Sequence, residues 1–108
     1  MAVSGLFELE PLCHTSINRA LGLDAASARR NSPALLAPVV RAPLLLAVGE
    51  LESAEFHRQT SHFAAVWRRQ GVAVDTLTLP GCHHFAAGEQ LAAPGSPLLT
   101  ATLDLLGR

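Results

Sequence analysis

The sequence predicts an α/β fold: about three parallel strands with flanking helices in a three-layer αβα arrangement, and an incomplete one. Three observations predict it. The apolar runs Ala2–Phe7, Pro43–Val48 and Val72–Leu79 show little of the alternation of a half-exposed strand, although the third alternates in part, and this is how strands covered on both faces read. Between the second and third runs lies one amphipathic helix, and a strand–helix–strand unit of this kind crosses over between parallel neighbours. Finally, three strands and about four helices leave open sheet edges, and a first strand starting at residue 1 or 2 calls for partners that 108 residues do not supply. The expectation is a single partial domain over 1–108.

The elements follow in order. From Glu8 to Pro38 there is no strand signal; Ser16 and Asp24 are placed to cap two short helices, and Asn31-Ser32-Pro33 closes the second. The helix from Ser53 to Gln70 carries Phe56, Thr60, Phe63 and Trp67 on one face, with arginines and histidines opposite. Ser53 stands at its N-cap, Glu55 complements the dipole in its first turn, and Gly71 ends it. After the Pro80-Gly81 turn, a short helix is expected around Phe85–Leu91. Ser96 and Pro97 then open a last helix, whose Leu98, Leu99, Leu103, Leu105 and Leu106 make a broad apolar face before Gly107.

Composition narrows the function. The chain is 49% hydrophobic and 16% charged, with 8 basic residues, all arginine, against 9 acidic ones. A net charge of −1 with scattered arginines gives no stripe for a phosphate backbone or an anionic membrane. Neither nucleic acid nor membrane is an expected partner. No apolar run approaches the ~20 residues of a membrane span, and the first residues have no basic leader. Cys13 and Cys82 are far apart and outside any CxxC pattern, so they are expected to be free thiols in the cytoplasm, with no metal and no cofactor.

Two turns carry the chemistry. In Val48-Gly49-Glu50-Leu51-Glu52-Ser53 a buried strand ends and delivers two acids before a helix. In Leu79-Pro80-Gly81-Cys82-His83-His84-Phe85 a parallel strand ends and delivers two histidines. Parallel strands place both turns at the same sheet edge, where α/β proteins bind ligands. A carboxylate accepting from Nδ1–H of an imidazole fixes the tautomer whose Nε2 can deprotonate a hydroxyl. Acid before histidine is the chain order of α/β-hydrolases, in which the nucleophile precedes both. Glu52 and His84 are the candidate catalytic residues. Glu50 is the competing acid, and His83 leaves open which histidine is the base.

The stretches Val3-Ser4-Gly5-Leu6-Phe7-Glu8-Leu9-Glu10-Pro11-Leu12, Glu52-Ser53-Ala54-Glu55-Phe56-His57-Arg58-Gln59-Thr60 and Pro80-Gly81-Cys82-His83-His84-Phe85 resemble the post-nucleophile half of kynurenine formamidase (arylformamidase) and its bacterial esterase relatives. The resemblance spans nearly the whole chain. It implies the C-terminal portion of an α/β-hydrolase fold, with the triad acid at Glu52 and the triad histidine at His84. It also implies hydrolysis of N-formylkynurenine or a small ester through an acyl-serine, an activity of tryptophan catabolism. Two departures stand out: the acid is Glu where better-known members have Asp, and His83 occupies a position expected to be Asn or Asp. The family's oxyanion segment and Gly-x-Ser-x-Gly elbow do not occur in these 108 residues. Ser4 is no substitute, because Ala2 and Leu6 stand where the elbow's glycines belong. The 108 residues alone are therefore expected to be inactive, needing a complementing N-terminal half. A different class of reading is a binding module that pairs through its open sheet edge, with a partner chain or as a homo-oligomer.

The remaining chemistry-bearing residues have plainer readings. His14, His57 and His62 read as surface or capping residues. Phe85 and Trp67 read as core.

Overall fold

The computed structural model describes residues 1–107. Three parallel strands, β1 (Ala2–Val3), β2 (Leu44–Gly49) and β3 (Val74–Leu79), form one sheet in the order β1-β2-β3. Ala2 lies opposite Leu46, Leu44 opposite Val74, and Gly49 opposite Leu79. This register brings the C-terminal ends of β2 and β3 level. Helices α1 (Asn18–Leu21) and α2 (Ala25–Arg30) lie in the excursion between β1 and β2. Helix α3 (Ala54–Arg69) connects β2 to β3, and α4 (His84–Glu89) and α5 (Pro97–Leu106) follow.

The central strand explains the three layers. Successive side chains of a strand point to opposite faces, and in β2 both faces are covered. Leu46 packs with Phe7, Phe63, Ala64, Val72 and Val74 on the α3 side. Leu45 and Ala47 pack with Leu79, Cys82, Ala87 and Leu98 on the side of α4 and α5. Full burial of a leucine such as Leu46 or Leu98 is worth roughly 1.5–3 kcal/mol against exposure. The continuous apolar run at the centre of the sequence is the consequence of this double cover.

The outer strands depart from expectation. The first strand is two residues long rather than Ala2–Phe7. Ser4 still donates its N–H to Ala47 O (2.8 Å), but its φ is +49°, and the chain leaves the ladder there. Phe7 and Glu8 give their N–H groups to Gln59 Oε1 instead (2.7 and 3.0 Å), and the Phe7 ring stacks on Phe63 at 4.2 Å. In β3, Asp75, Thr76 and Thr78 are exposed while Val74 and Leu79 are buried, so it is a half-covered edge strand.

Several helix boundaries follow the predicted caps. Asp24 caps α2 in a reciprocal capping box with Ser27, and Ser96 accepts from Leu99 N with Pro97 opening α5. Ser53 precedes α3 without a side-chain cap bond. Ser16 is not a cap: α1 starts after Ile17, preceded by a 3-10 turn at Glu10–His14. The apolar face of α5 is only partly used. Leu98, Ala101 and Leu105 face the core, whereas Leu103 and Leu106 are exposed. Among the described residues no helix is long and apolar enough to cross a membrane, and Cys13 and Cys82 are free.

Candidate active site

The site forms where β2 and β3 end. After Gly49 the chain turns back on itself: Glu52 N donates to Gly49 O (3.1 Å), and Glu52 Oε2 accepts from Gly49 N (2.7 Å). A tight return of this kind carries the carboxylate under the strand end. The neighbouring turn is stitched to it. Leu51 N donates to Cys82 O (3.0 Å) and Glu50 N to Leu79 O (2.9 Å), while Gly81 N donates to Glu50 Oε2 (2.6 Å). Gly49 and Cys82 approach so closely that a Cβ on residue 49 would collide with the Cys82 carbonyl.

These contacts separate the two acids. Glu52 Oε1 lies 2.6 Å from His84 Nδ1, whereas the Glu50 carboxylate holds the turn that presents the histidines. The side chain of Glu52 is 1% exposed and that of His84 is 51% exposed. The far oxygen of Glu52 also accepts from Ser4 Oγ at 2.5 Å. Burial pushes the Glu52 carboxyl up, but the hydrogen bonds from Ser4, Gly49 and His84, with the attraction of the imidazolium, outweigh it and hold the group below its ordinary value. It is thus an anion at neutral pH, and an anion only accepts.

The two histidines are distinguished by the same bookkeeping of protons. Facing a carboxylate, His84 must carry its proton on Nδ1, which leaves the Nε2 lone pair free. His83 is the N-cap of α4, and its Nδ1 accepts from Ala86 N (3.3 Å). An accepting Nδ1 puts the proton on Nε2. Adjacent histidines therefore adopt opposite tautomers, and His84 is the one whose outer nitrogen is basic. Its ring is flanked by Phe56 (centroids 5.1 Å apart) and by Phe85, edge-on at 5.4 Å.

Phe85 corrects an expectation: it is 77% exposed, on the outer side of the imidazole and not in the core. Trp67 packs against the α3-side core as expected. His14 pairs with Glu10 and His62 with Glu8, and His57 Nε2 lies 3.2 Å from Glu50 O. Sequence reasoning weighed Ser4 only as a nucleophile and gave it no place beside the acid, where its hydroxyl stands. Its only signal is a position at the end of a strand beside the one that bears the acid.

No family model matches the chain. It is similar to kynurenine formamidase of Salmo salar, 30% identical over 98% of the chain, and to kynurenine formamidase of Danio rerio, 27% identical over 98%. The chain spans 38% of the length of each of these curated relatives. A solved structure from a Silicibacter species, provisionally described as a thioesterase, superposes with a TM-score of 0.75 at 30% identity over 91% of this chain and 36% of its own. The resemblance inferred from the motifs holds over nearly all of the chain, and the architecture is that of part of a hydrolase-like α/β domain.

Proposed function

We propose that these residues are the C-terminal portion of a serine hydrolase of the kynurenine formamidase type, supplying the acid and the base of its triad. The carrying observation is the 2.6 Å contact between the buried Glu52 carboxylate and Nδ1 of the half-exposed His84. In this reading His84 Nε2 takes the proton of a serine hydroxyl as the hydroxyl attacks the carbonyl of N-formylkynurenine or a small ester. It then returns the proton to the leaving group, and Glu52 stabilises the imidazolium between the two steps. The serine and the oxyanion donors come from a polypeptide segment bearing a Gly-x-Ser-x-Gly elbow. Reduced Cys13 and Cys82 suit a cytoplasmic setting for the whole.

The test assays N-formylkynurenine and p-nitrophenyl acetate hydrolysis by the 108-residue chain, alone and with the elbow-bearing segment supplied on the same or a second polypeptide. The expected result is no turnover alone, turnover with the segment, and its loss by a factor of about 10³ or more in His84→Ala. Turnover that survives His84→Ala defeats the proposal. A second reading is favoured by β3 being an outer strand of the sheet among the described residues: pairing through that strand with another chain, which a concentration-dependent shift in sedimentation would reveal.

A further inference from the structure

Ser4 combines two features that independently require an account. It is the one described residue other than glycine with positive φ, at +49°, a conformation that L-residues with a Cβ avoid. Its hydroxyl also donates to the carboxylate of a residue 48 positions away, at 2.5 Å. The register explains how they meet. Val3 lies opposite Ala47 and Ser4 N donates to Ala47 O, so residue 4 arrives level with the end of β2, where Glu52 folds back. Leaving the ladder at that point turns the side chain toward the acid.

We infer that Ser4 is a positioning residue for the Glu52–His84 pair, its hydroxyl fixing Glu52 Oε2 so that Oε1 faces the imidazole. The inference rests on the triad role proposed above. Glutamate has one more rotatable bond than aspartate, and a carboxylate on a longer stem needs more restraint to aim one oxygen. Gly49 N supplies one restraint on Oε2 (2.7 Å) and Ser4 Oγ the other. Ser4 is not itself a nucleophile in waiting: its proton goes to a carboxylate oxygen, whereas a nucleophile must give its proton to imidazole Nε2. The hydroxyl also contributes to holding the Glu52 carboxyl below its ordinary value.

The experiment uses the isotopically labelled chain, reading the tautomer of His84 from its ring-nitrogen shifts and the solvent exchange of its Nδ1 proton. Ser4→Gly removes the hydroxyl and accepts the positive φ. It is expected to stay folded while Nδ1–H exchange rises about tenfold or more and the Glu52 titration midpoint moves up. Ser4→Thr keeps a hydroxyl but puts a β-branched residue at positive φ. Its denaturation midpoint is expected to fall while the His84 tautomer and exchange stay as in the parent. A merely structural serine would instead change the midpoint in both and the exchange in neither. Unchanged exchange and titration in Ser4→Gly overturns the positioning role. Glu52→Ala separates this from the parent reading: if it too leaves Nδ1–H unaffected, the acid–imidazole pair itself is refuted, and Ser4's role with it.

Discussion

Gly49→Ala tests the idea that the site depends on two turns being pressed together. Gly49 is not among the residues with positive φ, so an alanine there is conformationally acceptable and the question is one of space. The new Cβ would fall inside contact distance of the Cys82 carbonyl oxygen, 3.1 Å from its carbonyl carbon and 3.2 Å from Glu52 Oε2. The carbonyl belongs to backbone, which cannot swing aside like the end of a long side chain, so the turns must separate by roughly 0.5–1 Å. Forced separation of packed atoms costs about 1–3 kcal/mol. Alanine recovers about 0.4–1 kcal/mol by restricting the unfolded chain. The net expectation is a loss of about 1–2 kcal/mol, read as a lower urea midpoint with an unchanged slope. The Leu51 N to Cys82 O bond (3.0 Å) spans the same gap, so its amide should exchange faster as well. A midpoint equal to or above that of the parent would refute the close-approach argument.

Three further outcomes follow from the structure. Gly81→Ala meets no atom within 4 Å but imposes a Cβ at φ +66°; it should cost about 1 kcal/mol in a thermal melt by backbone strain alone. Gln59→Leu should cost about 2–4 kcal/mol in urea denaturation. Buried Gln59 takes the N–H groups of Phe7 and Glu8 and donates to Glu8 O and Glu55 Oε1, and leucine replaces none of these. Acid should destabilise the fold. The hydrogen bonds from Arg58 and Gln59 lower Glu55 from 4.5 to about 2, and Glu52 and Asp24 are also lowered, the latter by its bonds from Ser27. Depressed carboxyls add stability that is complete above their unfolded values and lost as pH falls through the folded ones. Urea midpoints should therefore drop between pH 5 and pH 2, and a flat profile there would contradict these shifts.

The inner unit was legible because several local signals agree on it. The run at Pro43–Val48, the Phe56/Thr60/Phe63/Trp67 stripe and Gly71 each indicate the same strand, helix and stop, and the structure has β2, α3 and a left-handed Gly71 (φ +84°). The outer elements were less legible, since their conformation is set by partners distant in sequence. Ala2–Phe7 reads as one strand because nothing local shows that Gln59 will take the Phe7 and Glu8 amides or that Glu52 will take the Ser4 hydroxyl. The same holds for the two acids. Glu50 and Glu52 both follow β2 within three residues, and only the return of residue 52 onto Gly49 N separates the one facing His84 from the one holding Gly81. Phe85 was misread for a simpler reason: hydrophobicity predicts burial on average, and a single exposed aromatic beside a polar group escapes the average.

The described residues themselves assemble the acid half of the candidate site. Among them Glu52 accepts from Ser4, Gly49 and His84, and the turns that carry these donors are tied together by Glu50, Leu51 and Gly81. Under the proposed role, a serine arriving at His84 Nε2 would meet a base whose tautomer and orientation are already set. Little reorganisation would then accompany its arrival, which is the condition for efficient proton transfer. The energetic cost is carried locally, in the positive φ of Ser4 and the burial of a carboxylate, and both are sustained by β2 and its double cover. Weakening that cover, for instance at Leu46 or Leu98, should therefore disturb the acid–imidazole pair only together with the fold, whereas Ser4→Gly should disturb the pair and leave the fold standing.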